Sequence, residues 1–142
     1  MKKLEGSITE ANLKAIITAE SEAKSRYSYY AFIAEREGHE KISKFLLEMS
    51  QNELENVITL FKLIKDTGSA AFDTFSLLKD SIYQENQKWT KQYSQMAAEA
   101  ENEGFTEIAH AFNELLDLAK QHERICLELI EGIKDKPEIP KE

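Results

Sequence analysis

The stretch EREGHEKI at residues 35–42 has a counterpart in ENEGFTEI at residues 101–108, and this pair decides how the chain is read. In each, a glycine (Gly38, Gly104) follows a glutamate and precedes an isoleucine (Ile42, Ile108) by four residues. The match extends outward in both directions. Eleven residues before each glycine stands a tyrosine, Tyr27 and Tyr93, and eight residues after it a bulky apolar side chain, Leu46 and Phe112. A glutamate precedes the glycine by 18 residues in the first case (Glu20) and by 19 in the second (Glu85). Several coincidences in one register indicate an internal repeat of two similar halves.

Within each half, apolar residues recur at three-, four- and seven-residue steps, the period of an amphipathic helix. The first segment runs from about Thr9 to Glu37 with its stripe through Leu13, Ile17, Glu20, Tyr27 and Ala34, and Ser7 or Thr9 is positioned to cap it. The second, from about Glu40 to Asp66, carries Ile42, Leu46, Met49, Glu53, Asn56, Leu60 and Ile64 on one face, with Gly68 as a stop. The third spans about Phe75 to Glu103 and the fourth about Thr106 to Ile133, the latter showing Ile108, Phe112, Leu115, Ala119, His122, Cys126 and Leu129. A glycine ends the first helix of each half. The expected architecture is therefore all-α: two helical hairpins, joined by a crossover connection at Thr67–Thr74, forming a four-helix bundle of approximate twofold symmetry over residues 1–134. Residues 135–142 form a charged tail broken by Pro137 and Pro140.

Composition narrows the function. With 142 residues, one domain is expected. The net charge of −8 disfavours a nucleic-acid partner, because no basic patch is present to neutralise phosphates. A single cysteine, Cys126, rules out an intrachain disulfide and any multi-cysteine metal site; it is expected to be a buried, inert thiol. No apolar run is long enough for a membrane span or a secretory signal, so the cytoplasm is the expected compartment. His39 and His110 fall outside the repeat register and are expected at the surface, while Trp89 is read as packing or an interface contact.

The chemistry lies in the acids on the apolar stripes. Glu20, Glu53 and Glu85 occupy otherwise apolar faces of three different helices. A carboxylate withdrawn from water needs a cation, a hydrogen-bond donor or a metal. Singly, each glutamate is read as a stripe-edge residue reaching solvent; the shared register argues for convergence. Fifteen and 18 residues after the glycines stand Glu53 and Asn56 in one half, Ala119 and His122 in the other. Glu-x-x-His places both donors on one helix face, as carboxylate-bridged di-metal bundles require. Each half keeps one member of that pair.

The segments AESEAKSRYSYYAFIAEREGHEKI, QNELEN, QENQKWTKQYSQMAAEAENEGFTEIA and KQHER resemble the ferritin-like domain of rubrerythrin, a likeness running from about Leu4 to Ile133. The resemblance implies a ferritin-like bundle, usually a homodimer, possessing a di-iron site that reduces hydrogen peroxide. It implies metal-ligand roles for Glu20, Glu53, Glu85 and His122, and tyrosines just outside the metals at Tyr27 and Tyr93. Asn56, Lys88 and Ala119 occupy the remaining ligand positions and depart from the pattern. The four-cysteine electron-transfer module of the family has no counterpart here, so an external electron donor is expected. The departures imply a reduced site: the Lys88 ammonium replaces one metal, at the position served by Glu20, leaving one Fe, Zn or Mn ion or none. The other expectation is a bundle that holds metal without turnover or serves as a metal-free scaffold. Hairpin exchange through the Thr67–Thr74 connection is a further expectation for the dimer.

Overall fold

The structure is a computed structural model that describes residues 3–66 and 73–134; the crossover at 67–72 and the tail at 135–142 lie outside the described residues. The chain divides into two compact units, Met1–Ala71 and Phe72–Glu142, each an antiparallel helical hairpin. In the first, α1 (Ile8–Arg36) turns into α2 (Glu40–Asp66). In the second, α3 (Thr74–Gln87) passes through a π-helical turn (Lys88–Gln92) into α4 (Tyr93–Asn102), and α5 (Thr106–Lys134) returns antiparallel. Among the described residues there is no strand, and the all-α expectation holds.

The helix ends are set by local chemistry. Ser7 caps α1, its hydroxyl accepting from the Glu10 amide at 3.0 Å, while the Glu10 carboxylate reaches back to the Gly6 amide. Asp73 caps α3, accepting from the Ser76 amide at 2.9 Å, and that amide, followed by the Ser76 hydroxyl, holds the Asp73 carboxyl below its usual range. Both hairpin turns close identically. Gly38 and Gly104 adopt φ of 83° and 86°, and the amides that follow, His39 and Phe105, donate back to Ala34 and Ala100 at 2.9 and 2.8 Å. This is the left-handed C′ closure that glycine adopts without steric cost.

A seam of small residues every seventh position holds the first hairpin together. Ser43, Ser50, Val57 and Ile64 are all buried along α2. The two hydroxyls satisfy themselves on the opposite helix: Ser43 donates to the Ala31 carbonyl at 2.8 Å and Ser50 to the Lys24 carbonyl at 3.0 Å, with Ser28 hydrogen-bonded to Ser50 at 2.7 Å. Ala31 and Ala34 let the backbones approach this closely. The second hairpin repeats the seam at Ala109, Leu116, Glu123 and Ile130, and there a carboxylate stands where the first has Val57. Two helices cover only such a seam, so larger side chains such as Ile42 (55% exposed) and Ile108 (50% exposed) remain uncovered within their own hairpins.

One expectation is corrected. The third helix was expected to run regularly from about Phe75 to Glu103, whereas the structure interrupts it with the π turn at Lys88–Gln92. A π turn accommodates one additional residue without breaking the helix. It falls between Glu85 and Tyr93, the same interval in which the second half is one residue longer than the first. The turn thus absorbs the 18-against-19 offset of the two glutamates.

Replacing Gly104 with alanine is expected to cost about 1 kcal/mol through the positive φ alone, because an added Cβ meets nothing within 4 Å. Urea denaturation checks this, and Gly104→Asn should lose less than Gly104→Ala.

Candidate metal centre

The ligand positions anticipated from sequence are divided between the hairpins. The second brings its two together. Glu85, near the end of α3, and His122, on α5, lie with Oε2 and Nδ1 3.5 Å apart. Lys88, three residues after Glu85, places its ammonium 2.9 Å from the other carboxylate oxygen, Oε1. The Glu85 side chain is only 15% exposed, against 40% for Lys88 and 49% for His122. The Lys88 ammonium, hydrogen-bonded to one oxygen, relieves the cost of withdrawing this carboxylate from water, and the His122 ring lies near the other. Lys88 was expected at the position served by Glu20; its ion-pair partner within the hairpin is Glu85. Ala119, one turn before His122, is 2% exposed and offers only a methyl group.

Among the described residues of the first hairpin, the ion pair is Lys14 with Glu10, and neither Glu20 nor Glu53 has a cation paired with it. Glu20 on α1 and Asn56 on α2 line one open groove of about 260 Å³ together with Ile16, Thr59 and Leu60. Glu53 is one turn from Asn56 and half-buried, and its Oε2 is a buried atom with no hydrogen-bond partner among the described residues. An orphaned carboxylate oxygen is the position at which a cation would be most favourable. Tyr27 packs edge-on against Tyr30, with ring centroids 6.4 Å apart, and Tyr93 stacks on Phe112 at the same separation. Among the described residues no three His, Cys, Asp or Glu side chains gather closely enough to hold a metal ion. Cys126, one turn beyond His122, is half-exposed, in contrast to the buried thiol expected.

One set of interactions was not anticipated. Glu123, adjacent to His122, accepts hydrogen bonds from the Trp89 indole N–H and from the Asn86 amide, the latter at 3.1 Å. Lys120 lies over the Trp89 ring, 5.0 Å from its centroid. The signal was an acid at a seam position where the repeat has a buried valine.

Comparison with known proteins identifies the class. The rubrerythrin family profile matches residues 11–72, the stretch containing Glu20, Glu53 and Asn56. Rubrerythrin of Porphyromonas gingivalis is 33% identical over 143 positions, covering 94% of this chain and 72% of that one. Rubrerythrin-1 of Clostridium acetobutylicum is 31% identical over 155 positions, covering 100% and 80% respectively. Rubrerythrin of Nitratidesulfovibrio vulgaris is 33% identical over 144 positions, covering 95% and 75%. The chain is an all-α protein of ferritin-like type, and it belongs to the rubrerythrin family.

With divalent ions removed by chelator, Glu53→Met is expected to raise stability by about 1 kcal/mol, by eliminating an unsatisfied carboxylate oxygen. A lower urea midpoint for the variant would show that the oxygen has a favourable partner in the metal-free protein.

Proposed function

We propose that the chain is a rubrerythrin-type non-haem iron protein of oxidative-stress chemistry whose metal site is reduced to one divalent ion or none. The observation that carries this reading is the Lys88 ammonium 2.9 Å from Glu85, at a position where the family pattern places a carboxylate. Glu20, Glu53, Glu85 and His122 are the groups assigned to the metal, and the orphaned Glu53 Oε2 fits a cation. Carboxylates with an imidazole suit Fe, Mn or Zn. Iron held by these groups would supply the redox chemistry for reducing a peroxide, with electrons from an external donor. Glu85 and His122 orient one another, and Lys88 opposes the entry of a second positive ion by occupying Glu85 Oε1. Asn56 and Ala119 contribute no anionic donor at their positions.

A second reading, a metal-free helical scaffold, is favoured by the same Glu85 contacts, since both oxygens already have nitrogen partners. For either reading the expected assembly is a homodimer, with hairpins exchanged through residues 67–74. The large apolar side chains left uncovered on each hairpin support it. No affinity for nucleic acid is expected at a net charge of −8. No helix among the described residues is long and apolar enough to cross a membrane, and the expected compartment is the cytoplasm.

Anaerobic reconstitution with Fe(II), followed by metal analysis and peroxide consumption, separates the readings. About one iron per chain supports the reduced site, and none supports the scaffold. Two irons with sustained turnover would overturn both. The triple change Asn56→His, Lys88→Glu and Ala119→Glu is expected to raise the iron stoichiometry of the chain, and an unchanged stoichiometry would show that restoring the donors does not restore the site.

A further inference from the structure

Two clusters on the second hairpin are related by a shift of a single residue. One is Glu85 with Lys88 and His122; the other is Glu123 with Asn86 and Trp89. Each member of the second follows a member of the first in sequence, and each cluster places two nitrogen groups beside a carboxylate. In the first cluster the carboxylate sits on α3 and reaches forward to Lys88 and across to α5; in the second it sits on α5 and draws in both Asn86 and Trp89.

We propose that Glu123 is a positioning residue: by holding Asn86 and Trp89 it latches the start of the π turn to α5 and thereby fixes the Lys88 ammonium against Glu85. Three observations converge on this. Trp89 lies inside the π turn and Asn86 just before it, so Glu123 ties both ends of the interval in which Lys88 sits. The equivalent seam position in the first hairpin is Val57, 7% exposed, and among the described residues that hairpin has neither a π turn nor a lysine paired with Glu20 or Glu53. Among the described residues the carboxylate latch therefore occurs in the hairpin that carries the extra residue. Finally, the π turn is a single-turn insertion at Lys88–Gln92, and its place in the helix sets the direction of the side chains around it. A shift of the turn by one position would rotate Lys88 away from Glu85, since neighbouring residues point roughly 100° apart. Lys120, stacked over the indole, holds the ring from its outer side.

The inference rests on the reading of Lys88 above for its functional meaning, but its test requires no metal. The 142-residue chain, kept in chelator, is treated with a limiting amount of an amine-acylating reagent, and modification of Lys88 is read by peptide mass spectrometry against Lys79, an exposed lysine on α3. Trp89→Phe keeps an aromatic ring but removes the indole N–H; Glu123→Ala removes the acceptor; Glu123→Gln keeps an acceptor oxygen. Trp89→Phe and Glu123→Ala are expected to raise the Lys88-to-Lys79 ratio about threefold, the opening that corresponds to one net hydrogen bond, while Glu123→Gln stays near the parent. An unchanged ratio in Trp89→Phe and Glu123→Ala overturns the latch. So does a rise of both lysines together, which is general loosening, or a Glu123→Gln variant as reactive as Glu123→Ala. Iron stoichiometry, which tests the function, is read separately and can fail without affecting this result.

Discussion

A carboxylate withdrawn from water costs free energy unless a positive or donating group meets it, and this constraint governs the acids at the helix–helix seams. Three acids stand at or beside the helix–helix seams and meet it differently. Glu85 is flanked by Lys88 and His122. Glu123 collects the amide of Asn86 and the indole of Trp89. Glu53 leaves one oxygen buried and unpartnered. The cost of such a group is comparable to a sizeable share of a domain's net stability, so these three solutions mark where the chain has been shaped for something other than packing.

The scaffold that holds them is economical in side-chain volume. The first seam is Ser, Ser, Val and Ile at seven-residue spacing, with hydroxyls bonded to carbonyls across the hairpin, and the second is Ala, Leu, Glu and Ile. Close helix approach follows from small residues, and it leaves larger apolar side chains such as Ile42 and Ile108 exposed. The repeat is faithful at its glycine turns and in the seven-residue spacing of its seams, but its side chains differ at the site and at the seam position of Val57 and Glu123. The two halves share their glycine closures, yet one has Asn56 where the other has His122, and one has a π turn where the other has a regular helix. The two halves thus differ at Asn56 and His122, at Val57 and Glu123, and in the π turn of the second hairpin.

Much of the fold was legible because its signals are local. A glycine after a long amphipathic stripe and Ser7 with Glu10 before another define helix ends through backbone chemistry that sequence displays directly. The π turn was visible only as a one-residue discrepancy between Glu20 and Glu85; spacing shows that a residue is extra, but not whether a loop, a bend or a wide turn absorbs it. At the site, the register identified which positions had changed type. It could not show that the Lys88 ammonium turns toward Glu85, since a lysine stem reaches several partners of similar energy. Glu123 was missed because a glutamate on a helix is ordinarily solvated, and only its alignment with buried Val57 distinguishes it.

The proposed reduction of the site turns on the Lys88 ammonium competing with a metal ion for the Glu85 carboxylate. Calorimetric titration of Co(II) into the parent chain and into Lys88→Ala tests it most directly. The two groups compete for one carboxylate, so removing the ammonium should tighten Co(II) binding about fivefold, the equivalent of one partly buried ion pair. Equal or weaker binding by Lys88→Ala would contradict the account, because Lys88 would then be a bystander to the metal position.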